Sequence, residues 1–428
     1  MQESALCGYF EVAKLKRITM GKSTHFLGQP LYGQIIKLLD KAEILEISRK
    51  NGGERYIKCF DAWTHLMTML YAVIMRHDSL REISVSMLAE ARKLSHLGVS
   101  MMPTRSTLSD ANSRRPAAIF ESIYRQLYGR YRQELFSDSR GRLSAKWMRR
   151  LQIIDSTTIS LFSNLLFKGV GRNPKTGKKK GGIKVHTVIH ANEAVPSDVH
   201  FTSAATNDSF MLKPVNFHDG DVLAMDRTYI DYTKLEELTG RGVIYVTKMK
   251  KNLTYVLWED IMWQNSMGLM EYRIRHVTFY KPVKDGGLIR HHARIISYVD
   301  MKKHKVIDLL TNDMDDDPEE IVNIYRQRWE IELLFKQIKQ NFPLRYFYGE
   351  SRNAIKIQIW VTLIANLLLM VIQSRLNRNW SFSGLATMVR LTLMYYVDLY
   401  SLLNQPERDW QMLLEQPDKD PPMPSLFE

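Results

Sequence analysis

Cysteine is nearly absent: Cys7 and Cys59 are the only two in 428 residues. So few exclude a disulfide framework and a four-cysteine zinc site, and they are the usage of a reducing compartment. Acid is also in short supply, 46 Asp and Glu against 60 Lys and Arg, which leaves a formal charge of +14. A polyanion is the first partner this suggests. The opening MQESALCGYFEVAKLKRITM has no continuous apolar stretch behind a basic start, so secretion is not expected. Long hydrophobic runs are scarce too. The most membrane-like one, Ile357 to Ile372, spans sixteen residues and is broken by Gln358 and Asn366, short of the roughly 20 a bilayer needs. A buried core helix is expected there, and no membrane partner.

What is present is ordinary globular text, 45% hydrophobic and 25% charged, enough for two or three domains of about 100 to 200 residues each. Apolar residues recur at three and four through LYGQIIKLLD, FDAWTHLMTMLYAVIMRH, SLREISVSMLAEARKL and AAIFESIYRQLYGRYRQEL, which predicts helices. Residues 1 to 140 hold 21 Lys and Arg against 14 acids, half of the excess charge. A basic helical domain over 20–140 follows, with residues 1–19 as a poorly ordered extension. Within it, the break SHLGVSMMP before TRSTLSDANSRR allows either a helix-turn-helix reader, with Arg105, Arg114 and Arg115 facing phosphates, or a plain packing helix.

From Leu151 the pattern changes to strands: LQIIDSTTISLF and GGIKVHTVIH alternate, and DVLAMD is an apolar run closed by an acid. YTKLEELTG returns to helix. Residues 242–311 favour strands again (VIYVTKM, LMEYRIRHVTFY, HARIISYVD, KVIDLLTN), and the chain is helical from Asp317 on. The fold class expected is α/β, an α/β core over 145–375 carrying a β-rich insertion, with a helical C-terminal region and tail over 376–428.

The helix expected from Asp317 opens with an N-cap acid, Pro318 in the first turn and a glutamate three residues on. At 100° per residue from Tyr325, Arg328 falls at about −60°, Glu332 at about −20° and Lys339 at about −40°. Ile324, Ile331, Phe335 and Ile338 lie beside this stripe as a core-facing side, while Glu330 falls almost opposite and reads as solvent-facing. A surface ion-pair ladder would give the same stripe. Two further carboxylates bear on the choice: Asp155 interrupts an apolar strand and Asp226 terminates another. Three acids from two strands and a helix are what two magnesium ions need, hard oxygen ligands with phosphate and water completing the shell.

The helix text matches Y-x2-R-x3-E-x6-K at Tyr325, Arg328, Glu332 and Lys339. With LQIIDSTTI, GGIKVH and MDRTYID in the same order, the chain resembles the DDE insertion-sequence transposases of the insertion-sequence-four group over residues 30 to about 375. The resemblance implies a ribonuclease-H-like core interrupted by the β-rich insertion, with Asp155, Asp226 and Glu332 as the catalytic triad and as the ligands of two Mg2+ ions, for which Mn2+ can substitute. It implies that Tyr325, Arg328 and Lys339 hold the DNA phosphate near the scissile bond, arginine being suited to bidentate contact. Trp329 then presses on a base, or else is a core tryptophan.

The activity implied is phosphodiester hydrolysis at element ends and joining of the freed 3′-hydroxyl to target DNA. Its partners would be duplex DNA with terminal inverted repeats, target DNA and a second copy of the chain on paired ends, in the cytoplasm on the nucleoid. Beside such a site the basic loop FKGVGRNPKTGKKKGGIK, with seven Lys and Arg from Lys168 to Lys184, would track the DNA backbone through Lys178, Lys179, Lys180 and Lys184. A solvated loop is the alternative. His186 and His190 share a strand face without a third ligand motif, which leaves zinc little support. A nuclease without strand transfer and a non-catalytic DNA-binding descendant remain as other readings.

Overall fold

A computed structural model describes residues 28–94, 97–99, 101–135, 146–160, 182–191, 193–264, 270–282, 287–301, 304–408 and 411. The expected extension over 1–19 and Lys178, Lys179 and Lys180 lie outside these described residues. Seven helices come first: α1 (Leu31–Ile36), α2 (Lys41–Lys50), α3 (Ala62–Met75), α4 (Leu80–Ala89), α5 (Ala91–Leu94), α6 (Arg105–Arg114) and α7 (Ala117–Leu135). Their starts are written in side chains that accept from orphan backbone amides: Asp40 from Ala42 and Glu43, Asp61 from Thr64, Ser79 from Glu82, Thr104 from Thr107.

The strands are β1 (Leu151–Ser160), β2 (Gly182–His190), β3 (Pro196–Ser203), β4 (Val222–Met225), β5 (Ile244–Lys248), β6 (Val256–Gln264), β7 (Glu271–Pro282), β8 (Leu288–Asp300) and β9 (Lys305–Thr311), with α8 (Tyr232–Gly240) between β4 and β5. They form one sheet in the order β3-β2-β1-β4-β5-β9-β8-β7-β6. β1 to β3 are antiparallel, and β1, β4 and β5 run parallel. This corrects the expected insertion over 242–311. Its first strand, β5, is an inner strand beside β4, and β6 to β9 lengthen the same sheet through the antiparallel β5–β9 pair.

The chain closes with α9 (Pro318–Gln327), α10 (Trp329–Asn341), α11 (Arg352–Ser374), α12 (Phe382–Thr392) and α13 (Leu399–Asn404). The single helix expected from Asp317 is therefore two, parted at Arg328 by a 3₁₀-type turn in which its amide donates to the Tyr325 carbonyl (3.1 Å). Asp317 occupies the N-cap position, yet its side chain makes no capping bond; Pro318 at the first turn begins the helix instead.

The apolar run Ile357 to Ile372 sits inside the 23-residue α11, long and apolar enough to cross a membrane but packed against α3, α6, α7 and α10. One continuous core joins the N-terminal helices, α9 to α13 and one face of the sheet, while α8 covers the other face over Leu223, Met225, Tyr245 and Leu310. The start of α1 is stitched to the segment after α12: the amides of Leu31 and Tyr32 donate to the carbonyls of Tyr395 and Leu393 (2.8 and 2.7 Å). The helical residues before 140 thus share their core with α11 rather than burying an apolar face alone.

Candidate active site

Parallel pairing of β1 with β4 ends at Ile154 against Met225. The next residue on each strand is Asp155 and Asp226, so the register sets the two aspartates side by side, about 4.8 Å apart at the backbone. Asp155 lies on a strand that continues to Ser160, whereas Asp226 ends β4 and caps a short 3₁₀ turn, accepting from the amide (3.3 Å) and hydroxyl (3.0 Å) of Thr228. α10 crosses β1 on the sheet face carrying the main core, and the Arg328 turn aims the guanidinium back at the strand.

Arg328 is the centre of the arrangement. Its Nη1 donates to Asp155 Oδ2 (3.2 Å) and its Nη2 to Glu332 Oε1 (2.6 Å), with the side chain 15% exposed. The guanidinium carbon stands 5.7 Å from the centre of the Tyr325 ring, a cation–π contact in a sheltered site. Burial alone would lower the arginine's pKa, but the hydrogen bond to Glu332 and the charges of Tyr325, Glu332 and Asp155 raise it on balance. Lys339 reaches the same strand two residues on, donating to Thr157 Oγ1 (2.5 Å), and burial lowers its pKa.

The acids strain against one another. Burial pushes Asp155 up to about 6, and the Asp226 and Glu332 carboxylates add to the rise against the opposing Ser156 amide and Arg328. Tyr325 is also raised, by burial first and then by Asp226 and Asp155 in spite of Arg328. Among the described residues no three His, Cys, Asp or Glu side chains stand close enough to hold a metal as they are; Arg328 fills the space between two of the three carboxylates. The donors nevertheless fit a hard divalent cation in kind. They are carboxylate oxygens, two on neighbouring strand ends, in a pocket whose acids repel. Arg328 Nε is buried there with no partner among the described residues.

The structure thus gathers Asp155, Asp226, Glu332, Tyr325 and Arg328, with Lys339 one step along β1. Other expectations are corrected. Lys184 is turned inward, 13% exposed, with its ammonium on the Thr206 carbonyl (2.8 Å) and Asp208 (3.2 Å), because it lies on β2 rather than on the basic loop before it. Trp329 is 56% exposed and is no core residue. Glu330 is half-buried rather than fully solvent-facing. Arg115, expected on phosphates, is 4% exposed and bonded to backbone carbonyls. His186 bonds Thr202 Oγ1 (2.7 Å) and is buried, which pushes its pKa down to about 4.

One residue had no signal in the sequence pattern. Asp208, in a 3₁₀ turn after β3, accepts from Ser156 Oγ (2.7 Å) and so steadies the residue next to Asp155. Only the run N-D-S after a strand marks it, and that is common turn text.

Comparison with known proteins places the chain in a family. Residues 146–368 match the family described as a transposase DDE domain, and residues 27–100 match one described as a domain of unknown function (DUF4372). The chain is similar to transposase y4zB of Sinorhizobium fredii, 28% identical over 65% of this chain and 74% of that protein. It is also similar to a transposase for insertion sequence element IS5377 from Geobacillus stearothermophilus, 25% identical over 53% of this chain and 58% of that one. A transposase for insertion sequence element IS4SA from Synechocystis is 23% identical over 62% and 70%. With the DDE model spanning more than half of its length, the chain belongs to the transposase DDE domain family and is an enzyme of that class.

Proposed function

We propose that the protein cleaves phosphodiester bonds at the ends of an insertion sequence and joins the freed 3′-hydroxyls to target DNA, as a member of the insertion-sequence-four group with the Tyr325, Arg328, Glu332 and Lys339 signature. The observation that carries this reading is the Arg328 guanidinium held between Asp155 and Glu332, with Asp226 alongside. Surface ladders hold one cation against one acid. Here one half-buried cation serves two acids from different elements, and such an arrangement is costly unless used.

In this reading the strands β3-β2-β1-β4-β5, three antiparallel and three parallel with β1 shared, are a ribonuclease-H-like core, supported by the order and direction of the pairs. Asp155, Asp226 and Glu332 would hold two Mg2+ ions, which supply the charge that activates an attacking oxygen and steadies a leaving one. Arg328 then exchanges its carboxylates for a DNA phosphate, for which its planar fork is shaped. Lys339, with its pKa lowered, and Tyr325 bound the phosphate on the same side. Exposed Trp329 is free to press on a base beside the reacting bond.

The test is incubation with duplexes carrying the element's terminal repeats, with and without Mg2+, followed by mapping of every strand. Nicks at the repeat ends plus covalently joined products support the proposal. Cleavage without joined product leaves a nuclease, and no cleavage of any duplex refutes both.

A further inference from the structure

The DDE core leaves one chemically distinctive surface unused, the loop 51–60 between α2 and α3 with the outer face of α6. Tyr56 at its tip is 96% exposed and holds a left-handed backbone, φ 61°, after Gly52 at 71°. A bulky residue in that region is disfavoured, so the chain holds a costly conformation in order to point an aromatic ring at solvent.

The loop around it is clamped. Buried Arg115 donates from Nε to the Gly53 carbonyl (3.3 Å) and from Nη2 to the Phe60 carbonyl (2.8 Å), tying both ends together. Glu54 is turned inward, accepting from Ser48 Oγ (2.6 Å) and the Ala62 amide (3.0 Å). Gly53 is packed so closely that a Cβ would stand 2.2 Å from Ile119 Cδ1. The clamp is in turn fixed to α11, because Asn353 Nδ2 donates to the carbonyls of Asn112 (2.9 Å) and Arg115 (2.7 Å).

Between the loop and α6 lies a cavity of about 320 Å³ lined by Arg55, Tyr56, Lys58 and Arg114, continued outward past Arg49 and Lys50. Arg49, Arg55 and Lys58 are exposed and make no ion pair among the described residues. Lys50 and Arg114 hold Glu46 and Asp110 in exposed four-apart pairs, which are weak enough to yield to a stronger anion. Five cations therefore line one continuous surface around an exposed aromatic, with Glu46, Glu54 and Asp110 the acids beside them.

We propose that this surface is a second DNA site, which grips the phosphates of duplex DNA through Arg49, Arg55 and Lys58, with Lys50 and Arg114 at its rim and the Tyr56 ring set against the groove. The proposal rests on the transposase reading and adds where DNA away from the reacting bond is held. Duplex is favoured over a single strand because there is one ring. Single-strand platforms stack successive bases on several aromatics, whereas one apolar projection among cations suits a duplex groove. Since the loop is tied through Asn353 to the helix packed on α10, DNA gripped here is held in a fixed relation to the carboxylates.

The experiment uses the full chain carrying Glu332→Gln, without metal, and a labelled mixed-sequence duplex titrated across salt. Joint Arg49→Ala, Arg55→Ala and Lys58→Ala should weaken binding at least about 10-fold and reduce the slope of log affinity on log salt by about 2 to 3. Tyr56→Asn tolerates the left-handed backbone without the ring, so it should weaken binding several-fold with the slope unchanged and the melting temperature equal or higher. Tyr56→Phe should restore the affinity. A triple variant with the parent affinity and slope overturns this site while leaving the transposase reading intact, as does preference for a single strand. Failure of the parent protein to bind any duplex overturns that reading and this site with it.

Discussion

Asp155 should weaken the fold that carries it, and by an amount the structure sets. Its pKa is displaced from 3.8 to about 6, first by burial and then by Asp226 and Glu332. Because the folded value is raised, the native state holds the proton more tightly than the unfolded chain does. The ionised carboxylate therefore destabilises the fold: the penalty is absent below about pH 4, grows between pH 4 and 6, and is complete above, at about 3 kcal/mol.

Asp155→Asn removes that charge and keeps the shape. It also removes the longer of the two Arg328 bonds, 3.2 Å, while the 2.6 Å bond to Glu332 remains, so a net gain of about 1 to 3 kcal/mol is expected at neutral pH. In a chain of this size that is roughly 2 to 5 °C. Thermal unfolding in chelator at pH 7.5 and at pH 4 measures it. The variant should melt higher at pH 7.5 and level with the parent at pH 4, and Mg2+ should raise the parent's melting temperature but not the variant's. An equal gain at both pH values, or none at pH 7.5, refutes the argument that repulsion and burial act on Asp155.

Glu332→Gln should abolish cleavage while duplex binding stays within a few-fold, as read by strand mapping beside a binding titration; retained cleavage would remove Glu332 from the site. Gly53→Ala should destabilise by about 1 to 3 kcal/mol, since its Cβ would meet Ile119 and Ser48 Oγ (2.2 and 2.5 Å), and chemical denaturation giving the parent midpoint would show the loop to be adaptable. Replacing Lys178, Lys179 and Lys180 with alanine should lower the salt slope of DNA binding by about 2 to 3 if all three meet phosphates; an unchanged slope means they are solvated. Mixing parent protein with Asp155→Asn protein should reduce joining more steeply than dilution, as expected if two protomers act on paired ends, and a fall in simple proportion would contradict that pairing.

The parts legible in the sequence were those where one period dominates. β1 and β4 alternate or run apolar up to an acid because one or both of their faces are covered, α7 buries a broad stripe, and α3 is apolar nearly throughout because it is buried on every side. β6 was not legible because it is exposed along nearly its whole length, so no face imposes a period of two. β3 alternates only weakly, with two buried positions among half-buried ones that are polar apart from Phe201. The turn at Arg328 has neither Gly nor Pro to announce it. The pair Arg114 and Arg115 shows the limit most plainly. The two are neighbours of one type, yet one pairs with Asp110 in solvent and the other is buried under a loop. Only the close approach of loop 51–60, a tertiary fact, distinguishes them.

The helical stripe mattered for a reason periodicity alone does not give. Tyr325, Arg328 and Glu332 could share a face on any surface helix, and an exposed ladder there would be worth little. What changes their character is the parallel register of β1 and β4, which sets Asp155 and Asp226 beneath the Arg328 turn. With every carboxylate ionised the group holds three negative charges against one guanidinium, and burial withholds water from Asp155 most of all. The fold tolerates this because the strands are fixed by the ladder on both sides, so the acids cannot move apart. The same unrelieved charge that raises Asp155 is a standing preference for added positive charge, and it falls where the strand ends open toward the exposed Trp329 and the partly open Glu332. A site assembled in this way loses stability at Asp155 in order to hold its acids ready, and removing that charge relieves the fold while ending the preference.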